Sequence, residues 1–224
     1  HRDSPAVSFT LREGEILGLF GMVGSGRTEI VRAITGADPY FSGEIFLYGR
    51  PLKVRSPGAA IRAGIAHITE DRQRLGLNLG ASVLDNGMMV KLQHLGRGLY
   101  YEPKRYTPLV APVMEALNLK TPSLQQEVVY LSGGNQQKVV LGKWLVQGAK
   151  VYVFDEPTRG IDINAKAEFY RQMTELTRKG NAIIMVSSEM SELISMSDRV
   201  LVVRDGALRT ELTGGAINEQ YIIQ

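Results

Sequence analysis

A mostly apolar run, Glu15-Ile16-Leu17-Gly18-Leu19-Phe20, passes directly into Gly21-Met22-Val23-Gly24-Ser25-Gly26-Arg27-Thr28. The run reads as a buried strand, and residues 28–34 read as the helix that follows the turn. The glycine spacing fits G-x-x-x-x-G-K-S/T at every position but one, where Arg27 stands in place of lysine. Gly21, Gly24 and Gly26 let backbone N–H groups around Ser25 turn inward on a polyphosphate, and the helix N-terminus adds partial positive charge. Thr28 offers a hydroxyl to Mg²⁺. Taken alone, the loop has a lesser alternative reading as a glycine-rich strand-to-helix turn, and the residues downstream decide between the two.

The chain has 224 residues, enough for one large domain or two small ones with a sizeable core. A net charge of +3 with scattered arginines forms no basic patch, which argues against a nucleic-acid partner. Without cysteine, disulfides and thiolate metal sites are excluded. Apolar runs such as Ala182-Ile183-Ile184-Met185-Val186 fall far short of the roughly 18 residues a bilayer span needs. The sequence also shows no signal peptide, so a membrane role has to come through a partner. The abrupt start, His1-Arg2-Asp3-Ser4-Pro5, reads as a fragment of a longer polypeptide.

Strands are expected over residues 7–11, 15–20 and 44–48, then a short helix over 57–63 and a strand over 65–69. From 82 to about 119 the pattern is helical, broken by Gly96-Arg97-Gly98 and by Pro103, Pro108 and Pro112. Beyond it come a helix after Ser132, a strand over 150–155, a helix over 164–179, a strand over 182–187 and a helix over 189–196. A hairpin pairs 199–204 with 207–212 around Asp205-Gly206. Alternating strands and helices predict an α/β fold with a mostly parallel sheet covered on both faces.

Two further stretches carry chemistry. Lys150-Val151-Tyr152-Val153-Phe154-Asp155-Glu156-Pro157 ends an apolar strand in two carboxylates at the sheet's C-terminal edge, where α/β folds bind ligands. Asp155 suits Mg²⁺, and Glu156 suits the polarisation of an attacking water. In Leu131-Ser132-Gly133-Gly134-Asn135-Gln136-Gln137-Lys138, Ser132 is an N-cap. The two glycines cost on the order of 1 kcal/mol each inside a helix, so their presence suggests close approach of a bulky anion.

The order G-x-x-x-x-G-R/K-T, L-S-G-G-x-Q, then an apolar strand and D-E-P-T resembles the nucleotide-binding domain of an ABC transporter, across essentially the whole chain. More narrowly it is similar to the second ATPase half of bacterial monosaccharide importers of the ribose, galactose and xylose type. The matching residues are Gly26-Arg27-Thr28, Thr69-Glu70-Asp71-Arg72, Asp155-Glu156-Pro157-Thr158-Arg159-Gly160-Ile161-Asp162 and Val186-Ser187-Ser188-Glu189-Met190. The resemblance implies one P-loop ATPase domain over 1–224. It would have an N-terminal antiparallel β part and a helical subdomain at about 82–147, within a chain that carries two ATPase domains. It implies ATP and Mg²⁺ as cofactors, with Thr28, Asp155 and Glu70 near the metal and Glu156 as catalytic base. It places Ser132, Gly133, Gly134 and Gln136 in the signature offered to another nucleotide, Asp162 in the D-loop and Ser188 at the switch position. Implied partners are a second ATPase domain (the N-terminal half of the same chain or a second copy), transmembrane permease subunits and, indirectly, a periplasmic sugar-binding protein. That puts the chain on the cytoplasmic face of a bacterial inner membrane.

Three positions depart from the family pattern. Arg27 replaces lysine, Glu70 replaces a glutamine, and Ser188 replaces the switch histidine; the histidines are His1, His67 and His94. A planar guanidinium is no substitute for a compact ammonium in a tight loop. Glu70 would place a formal charge beside the metal. A serine hydroxyl lacks the charge-assisted hydrogen bond of a histidine, and losing one such contact costs roughly 10²–10³ in rate. The loop is therefore expected to hold nucleotide and turn it over slowly, while the intact signature serves a partner's site. Leu141, Trp144 and Leu145 are expected in the core. Met88 and Met89 are buried or face a coupling element of a membrane subunit. Tyr100-Tyr101 reads as a surface loop. The competing readings are a soluble ABC ATPase acting on ribosomes or DNA, and a non-hydrolysing nucleotide sensor.

Overall fold

The computed structural model describes residues 7–40, 42–92 and 102–223. In chain order these form β1 (Ile16–Phe20), α1 (Arg27–Ile34), β2 (Ile45–Leu47), β3 (Arg50–Leu52), α2 (Pro57–Arg62), β4 (Ile65–Ile68), α3 (Val83–Leu92) and α4 (Pro103–Ala116). There follow α5 (Gly133–Gln147), β5 (Val151–Asp155), α6 (Ile163–Arg178), β6 (Ala182–Val186), α7 (Met190–Met196), β7 (Arg199–Arg204), β8 (Ala207–Thr213) and α8 (Glu219–Ile223). The chain divides into two compact units, one of residues 1–67, 150–157 and 174–224, the other of 68–149 and 158–173. The segments His1 to Pro5 and Gly96 to Gly98, with His94, Tyr100 and Tyr101, lie outside the described residues.

The first unit is built on a six-stranded sheet in the order β4-β5-β6-β1-β7-β8. β5–β6, β6–β1 and β1–β7 pair in parallel, and β7–β8 is an antiparallel hairpin. β1 and β6 are buried almost throughout, which is why they read as continuous apolar runs rather than alternations. Leu17, Leu19, Val153, Ile184, Val186 and Leu201 pack with Val31 of α1 into one core. β2 and β3 form a separate antiparallel ribbon. The β7–β8 turn has φ of 53° at Asp205 and 72° at Gly206, the two left-handed residues that a tight hairpin of matching twist requires.

The expected strand over 7–11 does not form. Phe9 and Leu11 still pack on the core, but this backbone is held by a side chain instead of a ladder. Buried Arg199 donates from Nη2 to the carbonyl of Thr10 at 2.5 Å and from Nε to Glu15 Oε1 at 2.5 Å. Alternation reports which side chains turn inward, not whether a neighbouring strand is present to pair with.

In the second unit α3, α4 and α5 pack against one another. α4 runs through Pro108 and Pro112, which the sequence reading takes as breaks. Both prolines are exposed, while Tyr106, Val110 and Met114 line the buried face at i, i+4 and i+8. The lost hydrogen bonds thus fall on the side that water reaches, and packing outweighs a cost of roughly 3 kcal/mol per ring. Met88 is fully buried, as are Leu141 and Trp144, with Leu145 half-buried.

His67 on β4 is held neutral. Burial lowers its pKa to about 4, helped by the charge of Arg32, and its Nε2 is buried without a hydrogen-bond partner among the described residues. Between pH 6.5 and 4 the unfolded chain therefore binds a proton that the folded chain refuses. The contribution is whole above 6.5 and fades as pH falls toward 4, amounting to about 3 kcal/mol at most. Denaturant titrations over this window should show a steeper loss for the parent than for His67→Gln; parallel curves would contradict it.

Candidate functional site

Parallel pairing aligns the C-terminal ends of β5, β6 and β1. Asp155 sits in register with Val186, and Val186 with Leu19. Three segments of the first unit therefore leave the sheet side by side: Asp155-Glu156, Ser187-Ser188 and the loop beginning at Gly21.

The loop from Gly21 to Gly26 is stitched to the hairpin turn, since Gly206 N donates to Ser25 O at 2.8 Å. A Cβ on Gly26 would lie 2.9 Å from Gly206 Cα, and this residue caps α1 at φ 102°, so glycine is required on both counts. Met22 and Val23 form the exposed apex. No side chain caps α1, and Ser25 Oγ is buried without a partner among the described residues. Uncapped N–H groups beside an orphaned hydroxyl fit a polyphosphate. Thr28 is exposed on the first turn, and Asp155 lies at the same strand edge. Thr28 and Asp155 are oxygen donors of the kind Mg²⁺ takes, and among the described residues no three acidic or histidine side chains cluster.

Arg27 is buried, and its Nη1 donates to the carbonyl of Ser187 at 3.1 Å. Burial lowers its pKa from the ordinary value while Glu156 and Asp155 oppose the shift; an arginine stays cationic regardless. Burial likewise pushes the carboxyls of Asp155 and Glu156 above their usual range, against the pull of Arg27. Glu156 adopts φ 50°, a left-handed conformation costing about 1–2 kcal/mol, fixed by its N–H on Val186 O at 2.9 Å. Ser188 Oγ donates to Glu156 Oε2 at 3.1 Å. Loop, acid pair and switch position thus converge, with a neutral hydroxyl facing the candidate base.

The second unit assembles the other expected residues. Ser132 caps α5, its Oγ accepting from Asn135 N at 3.4 Å and Asn135 Nδ2 at 3.0 Å. Gly133 and Gly134 have an internal explanation that the anion reading lacks. A Cβ at 133 would lie 2.7 Å from Arg72 Nη2, and one at 134 would lie 2.7 Å from Ala165 Cβ. Gln136, expected to reach a nucleotide, is instead buried; its Nε2 donates to Val128 O at 3.2 Å and its Oε1 accepts from Gln73 Nε2 at 3.1 Å. Asp162 Oδ1 caps α6, accepting from Asn164 N at 3.1 Å and Ala165 N at 3.0 Å. Glu70, expected to place a formal charge beside a metal, is ion-paired with Arg159.

Arg72, Arg159 and Lys143 carry interactions that spacing alone did not assign. Lys143 is buried in α5, where burial lowers its pKa to about 8, and donates to the carbonyl of Gly76. A lysine set between Leu141-Gly142 and Trp144-Leu145, in the apolar middle of α5, was the available signal.

The model of the ABC transporter family matches residues 5–159. This chain belongs to that family. It is 45% identical over 218 residues to the ribose import ATP-binding protein of Geobacillus kaustophilus, covering 97% of this chain and 44% of that protein. A ribose import ATP-binding protein of Rubrobacter xylanophilus is 47% identical over 220 residues, covering 96% and 43%. This ABC-family chain thus spans less than half the length of these relatives. A nucleotide-free ATP-binding cassette from an ABC transporter superposes with a TM-score of 0.83 at 19% identity, covering 97% of this chain and 88% of that one. The ADP conformation of another such cassette gives 0.80 at 21%, covering 94% and 85%. At these identities the superpositions establish the cassette fold.

Proposed function

We propose that this chain is one ATPase domain of a two-ATPase sugar-importer subunit, working in a head-to-tail pair. Gly21–Thr28 bind ATP, and Thr28 and Asp155 would hold Mg²⁺, which when bound would supply neutralisation of the phosphate charge. Glu156 orients the attacking water, and Asp155 and Thr28 face the metal. Ser132 to Gly134 complete the nucleotide site of the partner domain, and Asp162 lies on the same paired surface. Closing and reopening of the pair drives permease subunits at the cytoplasmic membrane face, with a periplasmic binding protein delivering the sugar.

One observation carries the further claim that this domain's own site is slow: the group facing Glu156 is the hydroxyl of Ser188. It is a neutral donor where stabilisation of a γ-phosphate calls for charge. The experiment pairs equilibrium ATP binding with capture on immobilised permease, ribosomes and DNA. Micromolar ATP binding with retention on permease alone is expected. Retention on ribosomes or DNA, or failure to bind ATP, would overturn it.

A further inference from the structure

Two side chains of the second unit, Glu70 and Arg72, converge on Arg159 and Gly160. The carboxylate of Glu70 pairs with the guanidinium of Arg159. Arg72 reaches the same place, donating from Nη1 to Arg159 O at 2.9 Å and from Nη2 to Gly160 O at 3.2 Å. The first turn of α5 lies against this contact: a Cβ on Gly133 would sit 2.7 Å from Arg72 Nη2 and 3.1 Å from Gly160 O. The loop that carries Glu70 and Arg72 is itself tied to α5, through Gln73 on Gln136 and Lys143 on Gly76. Two residues past Gly160, Asp162 begins α6.

We infer that Glu70, Arg72 and Arg159 form a clasp of positioning residues, fixing Asp162 and the start of α6 against the signature turn Ser132–Gly134. Gly160, at φ 69°, is a natural swivel. Holding its carbonyl removes that freedom, so signature and D-loop face a partner as one surface. The Glu70–Arg159 pair is weak alone, its side chains being 43% and 69% exposed, and salt screens it. The specific element is Arg72, whose planar fork spans two successive carbonyls as an ammonium cannot. The clasp rests on the proposed function only for what the surface is used for.

Ile163 is 80% exposed and the chain has no cysteine, so Ile163→Cys takes a single nitroxide beside Asp162. In the parent the label should report a mainly immobilised population with a small mobile fraction. Arg72→Lys should raise the mobile fraction roughly tenfold and Glu70→Gln about threefold, the latter reproduced in the parent by molar salt. The paired exchange Glu70→Arg with Arg159→Glu should restore most of the immobilised signal. A label unchanged in Arg72→Lys would overturn the clasp. So would mobility accompanied by a fall in Tm above about 5 °C, which marks a general structural role. No nucleotide enters this measurement, so its failure and a failure to bind ATP are separate results.

Discussion

Ser132→Ala in this chain should slow ATP turnover by the paired domains roughly 10²–10³-fold while leaving this chain's own ATP affinity unchanged. Ser132 is exposed, caps α5 and is engaged locally only by Asn135. Removing the hydroxyl therefore costs the helix about 1 kcal/mol of capping, confined to its first turn. In the proposed pair its larger effect would fall on the nucleotide opposite the α5 N-terminus, where a directed donor in a water-poor site has outsized weight. Steady-state turnover of the pair and calorimetric titration of the isolated chain separate the two effects. Unaltered turnover would mean that the signature contributes nothing in trans.

The second large effect runs the other way. Ser188→His should raise hydrolysis at this chain's own loop roughly 10–100-fold, with the gain in kcat and KM within about threefold. The parent places a neutral hydroxyl 3.1 Å from Glu156 Oε2. An imidazole there gives a donor that becomes charged near neutrality, and the adjacent carboxylates favour its protonated form. Arg27 limits the gain, because its guanidinium remains on the Ser187 carbonyl. Adding Arg27→Lys should therefore increase turnover further. A double variant no faster than the parent would place the defect elsewhere.

The sheet was legible because its strands carry strong signals. β1, β5 and β6 are apolar runs that end at Gly21, at Asp155-Glu156 and at Ser187-Ser188, and the loop from Gly21 to Thr28 announces both its turn and the helix after it. Residues 7–11 misled because inward-facing Phe9 and Leu11 mimic a strand whose backbone is actually held by Arg199, 189 positions from Thr10. Pro108 and Pro112 misled because tertiary burial of the opposite face overrode local propensity. At the site, the residues at one strand edge were readable from their order. The partners of Glu70 and the contacts behind Gly133 and Gly134 were not, since Arg159, Arg72 and Ala165 reach them through the fold.

The most direct test of an impaired loop beside a working signature is the nucleotide content of the closed pair after one catalytic turnover. This chain and its partner domain are loaded with Mg-ATP, quenched and analysed for bound nucleotide. The account predicts one ADP, from the partner's loop, for each intact ATP retained at Gly21–Thr28. Two ADP per pair, accumulating at matching rates, would contradict it.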